Sequence, residues 1–161
     1  MTPPADGHEL WNESRARGIA AGFASAKGGL LPALQAIQAE FGHVPGEAVA
    51  LLAEAFNLSR AEVHGIVTYY RDFRARPAGR HVLKLCRAEA CQAVGGAAVA
   101  EAARRHLKLD WGGTDPEGNW TLEPVFCLGL CACGPAGMLD GQPLARLDGE
   151  RIEELTSGAG K

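Results

Sequence analysis

Four of the five cysteines form two closely spaced pairs, and each pair follows an apolar segment. Four residues separate Cys86 from Cys91, three separate Cys127 from Cys131, and 35 lie between the pairs. The preceding segments, HVLKL and WTLEPVF, have the pattern of β-strands. Two strand ends at one edge of a sheet would bring four thiols together, and this requirement constrains the fold more than any other feature.

This pairing of thiols indicates a [2Fe-2S] cluster. The two irons are held by four thiolates, two on each iron, so the protein has to bring together two pairs of sulfurs. Such a cluster is anionic, and Lys84 and Arg87 beside Cys86, with a helix predicted to begin at Cys91, would favour negative charge. Gly129, within the second pair, would let the backbone turn closely around inorganic sulfide.

Other cysteine sites are possible rivals. A structural zinc site also uses four cysteines, but C-x4-C delivered from a sheet is less typical of zinc ribbons. This alternative predicts a zinc-stabilised interaction module with no redox role. A thioredoxin-like redox site requires C-x-x-C, and plant-type ferredoxins carry C-x4-C-x2-C; the sequence contains neither run.

The remaining candidate residues are interpreted as structural. Cys133 is favoured as a small apolar residue over a substitute ligand. The aromatic group Tyr69, Tyr70 and Phe73 is favoured as part of the core over a docking patch. A Rieske-type site is disfavoured, because no two histidines stand at ligand spacing. The histidines are His8, His43, His64, His81 and His106. No nucleophile with a base and no phosphate-binding glycine loop stands out, so we predict no substrate-binding active site in this chain.

Charge and hydropathy exclude two classes of partner. The formal net charge is −3 and no block of Lys and Arg is present, which argues against nucleic-acid binding. No run of about 18 apolar residues is available for membrane insertion. The first ten residues lack the pattern of a secretory signal, so we expect a cytosolic protein, whose thiols are kept reduced.

The first half of the sequence predicts four helices. A weak helical pattern extends from His8 to about Ala26, and a stronger one covers LLPALQAIQAEF and ends at Gly42. A third helix is expected between Pro45 and Asn57. Ser59 begins an S-x-x-E capping box for a fourth, which is expected to end before Pro77.

The second half predicts a small sheet with helices. We expect a strand over 81–85, a helix over 91–106, a loop over 110–119 and a strand over 120–126. A hairpin turning at Asp140-Gly141 and a helix over 149–156 follow. The predicted fold class is α+β, with an N-terminal helical bundle at 1–79 and a thioredoxin-like α/β domain at 80–161.

Four segments together resemble a known family. They are LLPALQAIQAEFGHVP, LSRAEVHGIVTYYRDF, the C-x4-C pair, and CLGLCACGP at 127–135. They are similar to the 24-kDa-type [2Fe-2S] subunits of NADH:ubiquinone oxidoreductase and their relatives. Within this family, PAGRHVLKLCRAEACQAVG looks most like the gamma subunit of NAD-dependent, molybdenum-containing formate dehydrogenase.

This resemblance implies a function and a set of partners. It implies one [2Fe-2S] cluster, held by Cys86, Cys91, Cys127 and Cys131, in an electron-transfer subunit. It also implies docking on an iron-sulfur subunit that carries FMN and binds NAD, with a large molybdopterin subunit that oxidises formate. The corresponding subunits of respiratory NADH:quinone oxidoreductase and of NAD-reducing hydrogenase are the nearest alternatives.

Overall fold

The computed structural model describes residues 10–158. The chain divides into two compact units, one ending at Pro77 and the other beginning at Ala78. The first unit is helical, and the second combines a five-stranded sheet with helices. The predicted fold class is therefore confirmed.

Four helices form the first unit, and local capping explains most of their ends. They are α1 Glu13–Phe23, α2 Leu30–Phe41, α3 Gly46–Phe56 and α4 Arg60–Tyr69. The predicted capping box begins α4: Ser59 Oγ accepts from the Glu62 N–H at 3.2 Å, and the Ser59 N–H donates to the Glu62 carboxylate at 2.8 Å. Left-handed residues end two of the helices, Gly42 after α2 and Asn57 after α3.

The first helix is shorter than the sequence pattern predicts. It begins at Glu13 because the Asn12 side chain caps it, accepting from the Arg15 N–H at 2.9 Å. The residues before Leu10 in the predicted segment lie outside the described part of the chain.

The aromatic group at the end of α4 differs from the prediction that it belongs to the core. Phe73 packs against the core, but Tyr69 is 78% exposed and Tyr70 42% exposed. The helix ends at Tyr69, well before Pro77, and Val67 is its last buried residue. Both tyrosines thus follow the last turn that faces the core, and their rings pack edge-on at 5.1 Å.

The second unit is built on a mixed sheet whose strand order is β2-β3-β1-β4-β5. Its elements are β1 His81–Cys86, α5 Glu89–Ala93, α6 Gly96–Leu107, β2 Gly113–Thr114, β3 Trp120–Val125, β4 Gly137–Leu139, β5 Gln142–Leu144 and α7 Gly149–Gly158. A 3-10 turn covers Cys131–Cys133. Its core combines the sheet with α6 and α7, and Leu83, Leu122 and Ile152 are fully buried.

The pairing of β1 with β3 positions the cysteines. The two strands run parallel, with His81 opposite Trp120 and Cys86 opposite Val125, and they are connected through α5 and α6. Both carboxyl ends therefore lie at one edge of the sheet. Cys86 is the last residue of β1, and Cys127 comes two residues after β3 ends.

Two predicted elements differ from the structure. The helix expected over 91–106 is broken at Gly95, whose φ is +100°, so that α5 and α6 are separate. A Cβ at Gly96 would come within 2.6 Å of the Cys91 carbonyl oxygen, which shows how closely the two helices meet. The loop expected over 110–119 contains the two-residue strand β2, which pairs with β3.

The predicted hairpin turn is confirmed. Asp140 and Gly141 both have positive φ, 49° and 82°, as a primed two-residue turn requires. The Asp140 carboxylate also accepts from the Val82 N–H and contacts His81 Nδ1, each at 2.7 Å. The turn is thereby tied to the start of β1.

Within the described residues, no helix has the length and apolar character that crossing a membrane requires.

Close packing beneath β4 generates a stability prediction. A Cβ at Gly137 would lie 2.8 Å from the Lys84 carbonyl oxygen and 2.9 Å from Leu147 Cδ1. We expect Gly137→Ala to lower the free energy of unfolding by about 1–3 kcal/mol through overpacking. In the matched control, Gly149→Ala, the new Cβ would lie 3.6 Å from Ala102 Cβ, an ordinary contact. Urea unfolding measures both; equal stabilities would contradict the tight packing at Gly137.

Candidate metal centre

The four thiols of the two pairs lie at the carboxyl edge of the sheet, two buried and two at the surface. Cys86 is 5% exposed and Cys91, in α5, is 2% exposed, whereas Cys127 and Cys131 are exposed on the loop after β3. The sulfurs of Cys127 and Cys131 are 3.9 Å apart.

Interactions between the thiols join the two pairs. Burial is the main cause that raises the pKa of Cys91. The hydrogen bond that Cys91 donates to Cys86, and repulsion by negative charge on Cys86 and Cys131, raise it further. The pKa of Cys131 is raised as well. The main causes are its hydrogen bond to Cys127 and repulsion by negative charge there, followed by burial and by charge on Cys86. The structure thus brings Cys86 and Cys91 within electrostatic reach of Cys131.

Backbone N–H groups favour negative charge at Cys86. Burial raises the pKa of this thiol, but donors from Ala88, Cys91, Cys127 and Leu128 outweigh burial and place the pKa below its ordinary value. Three of these donors are backbone N–H groups, and those of Cys127 and Leu128 come from the loop that carries the other pair. A thiolate at Cys86 is therefore stabilised by the opposite loop.

The backbone of that loop is strained where it presents the second pair. Cys127 has a φ of +97°, a conformation that residues with a side chain adopt at a cost of about 1–3 kcal/mol. Gly129 has a φ of +76°, and its N–H points to Cys127 Sγ at 3.4 Å. This arrangement turns the chain so that Cys127 and Cys131 lie side by side.

A second glycine lets the loop approach α5. A Cβ at Gly134 would be 3.0 Å from Val94 Cγ2 and 3.4 Å from Cys91 Sγ. Beneath this contact, Cys86, Cys91 and Ala136 form a small buried cluster, against which Ala88, Val125 and Leu130 pack. Cys86 and Cys91 therefore stand in an apolar setting, with backbone N–H groups as polar partners.

The two cations predicted to favour negative charge at the site also have partners within the second unit. Lys84 Nζ pairs with the Glu123 carboxylate at 3.3 Å, and the Arg87 guanidinium lies over the Trp111 ring at 5.0 Å. These contacts hold the two side chains to other parts of the unit. Cys91 is also the third residue of a five-residue helix and does not begin it. Sequence reasoning did not identify Ala88, Cys127 and Leu128 as donors to Cys86, because a backbone N–H leaves no residue signature.

Cys133 and the described histidines have other contacts. Cys133 is half-buried; its N–H donates to the Leu130 carbonyl at 2.9 Å and its carbonyl accepts from the Arg146 N–H at 2.8 Å. His81 contacts Asp140 at the opposite end of β1, and His43 Nδ1 lies 2.9 Å from the Phe41 carbonyl. His8 falls outside residues 10–158.

The thiols suit a binuclear iron centre. Across residues 10–158, no group of three or more His, Cys, Asp or Glu side chains is arranged to hold a metal ion. A [2Fe-2S] cluster divides its ligands, two thiolates to each iron. The two sulfur pairs and the N–H donors to Cys86 fit that requirement.

Comparison with known proteins establishes the class. The thioredoxin-like [2Fe-2S] ferredoxin family model matches residues 16–159, so this chain belongs to that family. Its cofactor is accordingly a [2Fe-2S] cluster, which confirms the cofactor expected from the cysteine pattern.

Particular relatives share most of the chain. It is 33% identical over 125 residues to an NADH-quinone oxidoreductase subunit of Salmonella typhimurium. It is 34% identical over 125 residues to the corresponding subunit of Escherichia coli K12. Each match covers 78% of this chain and 75% of the relative. It is 32% identical to an NADH-quinone oxidoreductase subunit of Rhizobium meliloti, over 84% of this chain and 81% of that one. The resemblance to the NADH:ubiquinone oxidoreductase subunits is confirmed.

A solved structure has the same fold. A chain in the crystal structure of an NAD+-reducing [NiFe]-hydrogenase in the H2-reduced state superposes with a TM-score of 0.69 at 25% identity. The match covers 81% of this chain but only 22% of the hydrogenase chain.

The strained loop generates a prediction on cluster retention. Gly129→Ala places a side chain in the left-handed region, at a cost of about 1–2 kcal/mol, within the turn that presents two thiols. We expect the visible absorption of the cluster to be lost to an iron chelator about tenfold faster, as about 1.4 kcal/mol of strain would allow. Gly141→Ala, with similar strain at a φ of +82° in the hairpin, is the control. Equal loss in both variants would show that the turn at Gly129 does not hold the cluster.

Proposed function

We propose that Cys86, Cys91, Cys127 and Cys131 ligate the [2Fe-2S] cluster, and that the chain is an electron-transfer subunit of an NAD-linked oxidoreductase. The main support is that the loop carrying Cys127 and Cys131 reaches the end of the neighbouring parallel strand, where its backbone N–H groups donate to Cys86. When bound, the cluster accepts and donates one electron at a time.

The residues of this chain would hold the cluster, shield one side of it and leave the other side accessible. Cys86 and Cys91 anchor it against the buried cluster of residues, while Cys127 and Cys131 stand at the surface, where a partner can approach. The backbone N–H groups aimed at Cys86 stabilise anionic sulfur and so favour the cluster in its charged states.

The partner we propose is an iron-sulfur subunit that binds FMN and NAD. The names of the relatives support it, since each is an oxidoreductase of NADH or NAD+. The electron would pass between the flavin of that subunit and the cluster on this chain.

As the particular complex we propose NAD-dependent formate dehydrogenase, with a large molybdopterin subunit that oxidises formate. The support is the segment PAGRHVLKLCRAEACQAVG, which contains the first thiol pair and is similar to the gamma subunit of that enzyme. A second candidate is the corresponding subunit of NADH-quinone oxidoreductase, favoured by relatives that are 32–34% identical. An NAD-reducing hydrogenase is the third.

The ligand assignment predicts different effects for neighbouring cysteines. Cys127→Ser should abolish or strongly lower iron and sulfide content and loosen the second unit, because ligand bonds contribute to folding in small metal domains. Cys133→Ser, the matched control, should leave both contents unchanged. Iron and sulfide analysis with paramagnetic resonance of the reduced protein measures this. Full iron content in Cys127→Ser would refute the assignment.

The complex can be identified by purification. Tagged chain, isolated anaerobically from its source cells, should carry molybdenum and flavin and should reduce NAD+ with formate. Nickel with hydrogen-dependent NAD+ reduction, or quinone reduction by NADH without molybdenum, would instead assign the chain to one of the other complexes.

A further inference from the structure

The charges of the two cations that flank Cys86 are compensated differently. Lys84 Nζ lies 3.3 Å from the Glu123 carboxylate, so this pair adds no net charge. Arg87 is half-buried, and within residues 10–158 its guanidinium has no carboxylate partner. Of the two cations, Arg87 is therefore the one that adds uncompensated positive charge beside a proposed ligand.

An aromatic ring holds the Arg87 side chain in place. The guanidinium carbon lies 5.0 Å from the centroid of the Trp111 ring, which is a cation–π contact. Trp111 in turn packs against the core of the second unit, which contains Leu83 and Leu85 of β1. Arg87 Nε is buried and has no hydrogen-bond partner in the part of the chain that the structure describes. The ring thus fixes the cation without neutralising it.

The backbone fixes Arg87 next to the proposed ligand. The Arg87 N–H donates to the Val125 carbonyl at 2.7 Å, which continues the pairing of β1 with β3 one residue past Cys86. Successive Cα atoms are about 3.8 Å apart, so the two side chains start from neighbouring points. Side chains of successive strand residues point to opposite faces. The charge of Arg87 therefore acts on the sulfur of Cys86 through space and not through a hydrogen bond.

We propose that Arg87 raises the reduction potential of the [2Fe-2S] cluster, and that Trp111 is a positioning residue that keeps this charge in place. The inference rests on the proposed function, in which Cys86 is a ligand of the cluster. One-electron reduction adds a negative charge to a centre that is already anionic. A fixed positive charge stabilises the reduced state more than the oxidised state, so the cluster accepts an electron more readily.

Partial burial determines how strongly this charge acts. Water and salt screen a half-buried charge less than an exposed one, so its interaction with a neighbouring charge is larger. A guanidinium suits such a site because it stays charged, stacks on an aromatic face and is more weakly hydrated than an ammonium group. Arg105, on α6 of the same unit, is exposed and is screened by solvent. It therefore provides a comparison in which the same charge has little effect.

Redox titration of the intact, cluster-loaded chain tests the proposal. Full-length protein is purified anaerobically, and the paramagnetic resonance of the reduced cluster is followed against the applied potential. Iron and sulfide per chain are measured on the same samples. We expect Arg87→Gln, and separately Arg87→Met, to shift the reduction equilibrium about tenfold towards the oxidised cluster, which is about 59 mV for a one-electron couple. Iron and sulfide should stay at wild-type values.

Further variants separate charge from packing. Arg87→Lys keeps the charge and should shift the equilibrium less than about twofold. Trp111→Leu keeps Arg87 but removes the ring that holds it, so it should lower the potential by less than Arg87→Gln does. Adding Arg87→Gln to Trp111→Leu should then have a smaller effect than in the wild type. The matched control, Arg105→Gln, removes the same charge from an exposed position and should leave the potential unchanged.

Several outcomes would overturn the inference. A wild-type potential in Arg87→Gln and Arg87→Met would show that the charge does not reach the cluster. An equal shift in Arg87→Lys would make packing the cause, and an equal shift in Arg105→Gln would make it the net charge of the chain. Loss of iron from both neutral variants would assign Arg87 a structural role instead. Absence of iron from the wild type is a separate failure: it would remove the proposed function, and this inference with it.

Discussion

Parallel hydrogen bonding between β1 and β3 is the constraint on which the site depends. The register that places Cys86 opposite Val125 brings both carboxyl ends to one edge, so that 35 intervening residues do not separate the thiol pairs in space. A parallel pair needs a crossover, and α5 and α6 supply it. The same crossover carries Cys91, so the connection that permits the parallel pairing also delivers a thiol.

Backbone N–H groups lower the pKa of Cys86 against the effect of burial. Side-chain cations close in sequence, Lys84 and Arg87, contact Glu123 and Trp111, while N–H groups of Ala88 and of the loop after β3 point to Cys86. Backbone dipoles are held in place by the fold and lose no rotamer freedom when they act. They stabilise anionic sulfur without adding charge.

Local signals in the sequence predicted part of the fold accurately. The helix at Leu30–Phe41, the capping box at Ser59 and the turn at Asp140-Gly141 each depend on residues within a few positions of one another. The break at Gly95, the strand β2 and the exposure of Tyr69 were not predicted. Each of these depends on packing against another element, for which a local pattern carries no information.

The sequence alone predicted the chemistry of this protein: the number and spacing of its thiols favour two pairs of iron ligands, since thiolate is the donor that iron-sulfur clusters require. Only the tertiary structure decided which thiols are buried, which donors stabilise them and which face is exposed. These properties arise from strand register and from the positive φ at Cys127, because burial and hydrogen bonding are set by neighbours distant in sequence.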